Sequence, residues 1–226
     1  MIIIAQVGIN HNGKLKEAKK LVTAAKKAGA DAVRFQTFWN LGQLEKYELT
    51  KEEWIELKEY CDEEEIKFLS TPYTLEAIDF LDDLVSILKV ASPFLTDKEF
   101  ILKIASKKKT ILLSTGSLKY KDRMAPMNKI KETLGWIPGA DVILLHCVSK
   151  YPCEDGKYDR IEKLKQFGYP VGLSDHTKDI EFPIVPVIEK HFMINENCIG
   201  ASVSLNPKQF KQMVKIMRRN ENLCGG

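Results

Sequence analysis

Short apolar runs alternate along this chain with longer stretches in which apolar positions recur every three or four residues. The runs predict strands at residues 2–7, 32–36, 67–70, 86–90, 110–114, 142–147, 170–173 and 187–191. Most are apolar on both faces, as strands are when helices cover a parallel sheet on both sides. Between them the period changes. In residues 14–28, Leu21, Ala24, Ala25 and Ala28 form one stripe backed by lysines. Thr50, followed three residues later by Glu53, reads as a capping box opening a helix over 51–63.

Eight strands with intervening helices predict a compact (β/α)₈ TIM barrel, expected as a single domain over residues 1–226. No GxGxxG sequence opens the first helix, which argues against a dinucleotide-binding sheet. One element does not fit. Between His176 and Val187 the link is short and carries Pro183 and Pro186, so the helix between strands 7 and 8 is expected to be missing or reduced. The wall there should be thin, leaving apolar strand surface for a loop or another subunit to cover.

Charge and composition narrow the functional classes. A net charge of +3, with lysines spread over helix faces, gives no basic stripe for nucleic acid. The run Lys107-Lys108-Lys109 reads as a solvated helix end. No apolar run approaches the roughly 20 residues needed to span a bilayer, and the start, Met1-Ile2-Ile3-Ile4-Ala5, has no basic segment of a signal peptide. Five cysteines, mostly far apart, suit reduced thiols, so the expectation is a soluble cytoplasmic protein.

Barrel chemistry lies at the C-terminal strand ends. Those ends supply Asn10-His11, Arg34, Gln36, Ser70-Thr71, Lys89, Ser92, Ser114-Thr115-Gly116, His146 to Tyr151, Ser174-Asp175-His176 and Lys190-His191. The set is polar, mildly cationic and rich in hydroxyls, which suits a small phosphate or carboxylate. All four histidines fall at strand ends. His176 and His191 close the last two strands, where two imidazoles with ligand oxygens and water make an open site for Mn²⁺ or a similar ion. The alternative is a hydrogen-bonded core pair. Asp175 either orders His176 from behind or caps the next turn. Lys89 closes an apolar strand, where a bound anion or an internal partner such as Glu189 must compensate its charge. With Thr71, Ser92, Ser174 and Arg34 it forms a plausible anion cradle. Asn10-His11-Asn12-Gly13 is a polar turn that either caps the next helix or lines the substrate mouth.

The segments IAQVGINHNG, GADAVRFQTF, FLSTPY, LKVAS, ILLSTG, LLHCVSKYP, GLSDHT and VIEKHF stand in the order of the sialic acid synthase motifs. The chain resembles that family, which includes synthases for neuraminic, legionaminic and pseudaminic acids and for spore-coat polysaccharide precursors. The resemblance covers nearly the whole chain. It implies condensation of phosphoenolpyruvate with an aldose-type amino sugar to give a 2-keto-3-deoxy sugar acid. It further implies a divalent metal, Mn²⁺ or Mg²⁺, on His176 and His191, and phosphoenolpyruvate against Arg34, Thr71, Lys89, Ser92, Ser149 and Ser174. Gln36 and Tyr151 match the sugar side, with Asn10 at the mouth and Gln6 among the catalytic positions; His11 and His146 read as pocket lining and support. Relatives are homodimers, so a homodimer is an expectation here.

The departures cluster. Where the family has an acid in its first motif, this chain has Gln6, and an amide cannot carry a proton as a carboxylate does. Pro93-Phe94 replaces Gly-Glu, and Cys198-Ile199-Gly200 replaces a GPD stretch. Arg34 stands where lysine is usual, which keeps the charge but changes its geometry. The loop after the second strand shortens to a few residues around 39–47, and the relatives' C-terminal antifreeze-like domain has no counterpart in the sequence. Two functions follow from the same residues: a phosphoenolpyruvate-dependent sugar-acid synthase, or a barrel that binds metal or anion without turnover, or as a partner subunit. A metal-dependent aldolase or epimerase fits the motif order poorly.

Overall fold

The structure, a computed structural model, describes residues 1–39 and 41–224. Its strands are β1 (Ile2–Gly8), β2 (Ala32–Thr37), β3 (Lys67–Pro72), β4 (Ile87–Val90), β5 (Thr110–Ser114), β6 (Val142–Cys147), β7 (Val171–Asp175) and β8 (Val187–His191). Its helices are α1 (Leu15–Lys27), α2 (Lys51–Glu63), α3 (Leu75–Asp82), α4 (Lys98–Ala105), α5 (Met127–Trp136), α6 (Arg160–Lys165) and α7 (Pro207–Cys224). All strand pairs are parallel, in the order β3-β2-β1-β8-β7-β6-β5-β4. β3 and β4 meet across the remaining seam, so the eight strands form a nearly closed barrel with helices outside.

Local signals explain the helices. Thr50 accepts from the Glu53 amide while the Glu53 carboxylate accepts from the Thr50 amide, the predicted reciprocal cap. The apolar stripe of α1 buries Ala18, Leu21, Val22 and Ala25 against the sheet. Residues 39–47 contain a 3₁₀ turn at Gly42–Tyr47, with Asn40 outside the described residues. The predicted gap is also present: no described helix joins β7 to β8. Phe182 and Val185 from the linker are buried against the core and Ile180 packs beside them, so the chain itself covers that wall.

Strand alternation then sets what faces inward. Ile4, Ala32, Leu69, Leu112, Leu145 and Val187 form an apolar plug inside the barrel, separate from the larger core between strands and helices. Gly172 completes this layer because a Cβ there would come 2.6 Å from the Val187 carbonyl oxygen. Two residues further along each strand, the inward positions become Gln6, Arg34, Thr71, Lys89, Ser114, Cys147, Ser174 and Glu189. The apolar plug is thus the floor of a polar chamber.

Candidate active site

Glu189 is the centre of that chamber, fully buried. Its carboxylate lies 2.7 Å from Arg34 Nε, ion-pairs with Lys89, and accepts a 2.7 Å hydrogen bond from Ser174 Oγ. The Arg34 contact is ionic without hydrogen-bond alignment, and Arg34 instead donates from Nη1 to Thr71 Oγ1 at 2.7 Å. Burial pushes the Glu189 carboxyl up, but the charges of Arg34 and Lys89 outweigh it and hold it well below the usual carboxylate range. Burial lowers Lys89 to about 8 against the opposing pull of Glu189. The internal partner considered for Lys89 is therefore present. Even so, Arg34 and Lys89 also line the open cavity, so two cations share one carboxylate next to solvent-accessible space.

Hydroxyls complete the cationic end. Gly116 follows β5, and a Cβ built there would lie 2.3 Å from Ser149 Oγ and 2.7 Å from Ser92 Oγ. The missing side chain lets both hydroxyls close on the backbone at this point. Ser149 Oγ is buried without a hydrogen-bond partner, an orphaned donor that an anion would satisfy.

His176 lines the same cavity, with His191 beside it. The His176 and His191 ring centroids are 5.2 Å apart, with the Tyr151 ring 4.2 Å from His176 and 6.0 Å from His191. His176 Nδ1 lies 2.7 Å from the Val148 carbonyl oxygen. A carbonyl only accepts, so Nδ1 carries the proton and Nε2 keeps its lone pair. Burial lowers the His176 pKa, but Cys147, 3.9 Å away at Sγ, and the bond to Val148 raise it overall. His191 Nε2 is buried without a partner, and burial, then His176, lower its pKa well below normal, favouring the neutral ligating form. Two such nitrogens are suited to a divalent metal, which His176 and His191 would hold with the remaining positions left open. Among the described residues, no group of three or more His, Cys, Asp or Glu could hold an ion by itself.

The remaining sequence-derived candidates divide. Gln6, Gln36, Ser92, Ser149, Tyr151 and Ser174 line the cavity. Thr71 and Asn10 stand behind it, Thr71 holding Arg34 and Asn10 donating to the Phe192 carbonyl at 3.0 Å. His11 corrects the expectation of pocket lining. It is fully buried, edge-on to Phe35 and Trp54, with neither ring nitrogen hydrogen-bonded, and burial lowers it to about 4. His146 faces outward and bonds the Gly156 carbonyl at 2.6 Å. Asp175 caps the following turn by accepting from the Thr177 amide at 2.9 Å. Tyr73, not foreseen, joins the lining and bonds Gln36 through its hydroxyl at 2.8 Å.

The positions expected to depart from the family pattern have a structural outcome. Phe94 stacks on Phe100 with centroids 4.2 Å apart and meets Tyr73 edge-on, making an aromatic wall beside the cavity. No Asp or Glu stands among the residues that line it.

Comparison with known proteins decides the family. The NeuB family profile matches residues 39–226. The chain belongs to the NeuB family. It is 39% identical to an uncharacterized protein of Methanocaldococcus jannaschii, covering 99% of this chain and 72% of that one. It is 34% identical to the N,N'-diacetyllegionaminic acid synthase of Legionella pneumophila, covering 99% and 73%. Among solved structures, a sialic acid synthetase from Leptospira borgpetersenii in complex with citrate superposes with a TM-score of 0.91 at 28% identity, over all of this chain and 85% of that one. This NeuB-family barrel thus shares sequence and fold with sugar-acid synthases. No described helix is long and apolar enough to cross a membrane.

Proposed function

We propose that this NeuB-family chain condenses phosphoenolpyruvate with an aldose-type acceptor, giving a 2-keto-3-deoxy sugar acid and phosphate. One observation carries the reading: a single cavity joins a buried Arg34–Lys89 cation pair and the orphaned Ser149 hydroxyl to His176, whose ring lies 5.2 Å from that of His191. Arg34, Lys89, Ser92, Ser149 and Ser174 bind and orient the phosphate and carboxylate. A Mn²⁺ or Mg²⁺ ion on His176 and His191 would supply a Lewis acid for the acceptor carbonyl. C3 of phosphoenolpyruvate bonds to the aldehyde carbon, whose oxygen gains a proton; water adds at C2 and the C2–O bond to phosphate breaks. The cationic end stabilises charge in that step. Gln36, Tyr73 and Tyr151 face the acceptor.

A second reading, binding without turnover, draws on the acid-free cavity lining, in which Gln6 can orient a group but not move a proton. Calorimetry with Mn²⁺ and phosphoenolpyruvate, followed by phosphate release with a panel of aldoses and N-acyl amino sugars, separates the two. Phosphate release supports the synthase. Binding with no release from any acceptor supports the second reading; no binding of phosphoenolpyruvate overturns the synthase, and no binding of Mn²⁺ as well overturns both.

A further inference from the structure

Asp175 and Lys190 are aligned partners on the last paired rung between β7 and β8. Each immediately precedes one of the two paired histidines. Because successive side chains alternate across a strand, Asp175 and Lys190 project outward while His176 and His191 project into the barrel. An ion pair on the outer face therefore lies back to back with the imidazole pair on the inner face.

The surroundings show why this rung matters. The ladder ends there, and no described helix follows β7 to brace the two strand ends. Their outer face is instead closed by a buried polar cluster. Lys190 is fully buried, ion-pairs with Asp175, and donates to the Thr177 carbonyl at 2.6 Å. Asp175 also accepts from the Thr177 amide at 2.9 Å and from the Tyr158 hydroxyl at 2.8 Å. Phe182 from the linker lies under the ammonium, 5.3 Å from ring centroid to Nζ. His191 Nε2, by contrast, has no hydrogen-bond partner to hold the ring in place.

We infer that the Lys190–Asp175 pair is a positioning device: it fixes, from outside the barrel, the separation at which His176 and His191 present their nitrogens to a divalent cation. The inference rests on the reading of these histidines as metal donors. Stability alone is a weak reason for such a pair, because a buried ion pair replaced by apolar groups of similar volume is often neutral or stabilising. Groups behind metal ligands, in contrast, typically alter metal affinity by about 10- to 100-fold when removed.

The test is the double variant Lys190→Met/Asp175→Leu, which removes both charges together and leaves neither unpaired. Urea unfolding reports the fold, and Mn²⁺ titration followed by electron paramagnetic resonance reports affinity. Mn²⁺ affinity should fall about tenfold or more while the unfolding midpoint changes little, and the single variant Lys190→Arg, which keeps the charge, should retain most of the parent's affinity. Tyr158→Phe, which strips one hydrogen bond from Asp175 without unpairing a charge, should give a smaller loss in the same direction and serves if the double variant does not fold. Affinity within twofold of the parent in the folded variants overturns the positioning role while leaving the metal reading intact. Failure of the parent protein to bind Mn²⁺ overturns both.

Discussion

Replacing Glu189 by Gln should destabilise the protein and make its stability depend on an added anion. The change removes the one carboxylate shared by Arg34 and Lys89 at almost constant volume. At 2.7 Å and an effective dielectric constant of 20, the Arg34 attraction alone is about 6 kcal/mol before the cost of desolvation is subtracted. Breaking a buried pair and leaving its partner charged typically costs about 3–5 kcal/mol. In a chain of this length that corresponds to a fall in melting temperature of roughly 10 °C. Inorganic phosphate should recover more of the loss in Glu189→Gln than it adds to the parent, because both cations are then free to receive it. The sign of the pH effect is also set. A carboxyl held below its usual 4.5 contributes stability above that pH and loses it as pH falls, so acid unfolding should be shallower in the variant. The assay is urea unfolding from pH 3 to 7, with and without phosphate. A variant within about 1 kcal/mol of the parent at pH 7, with no larger response to phosphate, would refute the shared-carboxylate account.

Gly116→Ala places a methyl group 2.3 Å from Ser149 Oγ, so phosphoenolpyruvate affinity measured by calorimetry should fall about tenfold or more, equivalent to at least about 1.4 kcal/mol. Lys89, lowered by burial to about 8, loses its charge as pH rises through that value, so phosphoenolpyruvate affinity titrated from pH 6.5 to 9.5 should decline above 8; a flat profile contradicts its role at the anion. His11, lowered from 6.5 to about 4, binds fewer protons folded than unfolded across that window. Stability is therefore lost as pH falls from 6.5 toward 4, by about 3 kcal/mol for this group. His11→Phe should remove that part of the acid sensitivity in urea unfolding at pH 7 and pH 4.

The eight strands were legible because parallel strands buried on both faces are apolar runs, and the missing braces between β7 and β8 because two prolines stand in a short link. The imidazole pair was legible because both histidines close adjacent strands. Glu189 is less so: it lies in an apolar strand, where the sequence marks it only as a partner for Lys89. Counting in twos from the apolar plug would have placed it inward beside Arg34 and Lys89, and would have turned His146 outward. His11 shows the opposite limit. It follows β1 in an irregular turn, where no strand period fixes its direction, and packing against Phe35 and Trp54 decides it.

The same carboxylate bears on the acid missing at Gln6. Glu189 cannot simply take over that role, because a carboxyl held low by two cations is a weak base, and protonating it would leave Arg34 and Lys89 unpaired. With Gln6 neutral, the inner layer holds two cations against one carboxylate, a surplus that suits an incoming anion. In the synthase reading, the proton for the acceptor oxygen comes from water or from the phosphate group of the substrate.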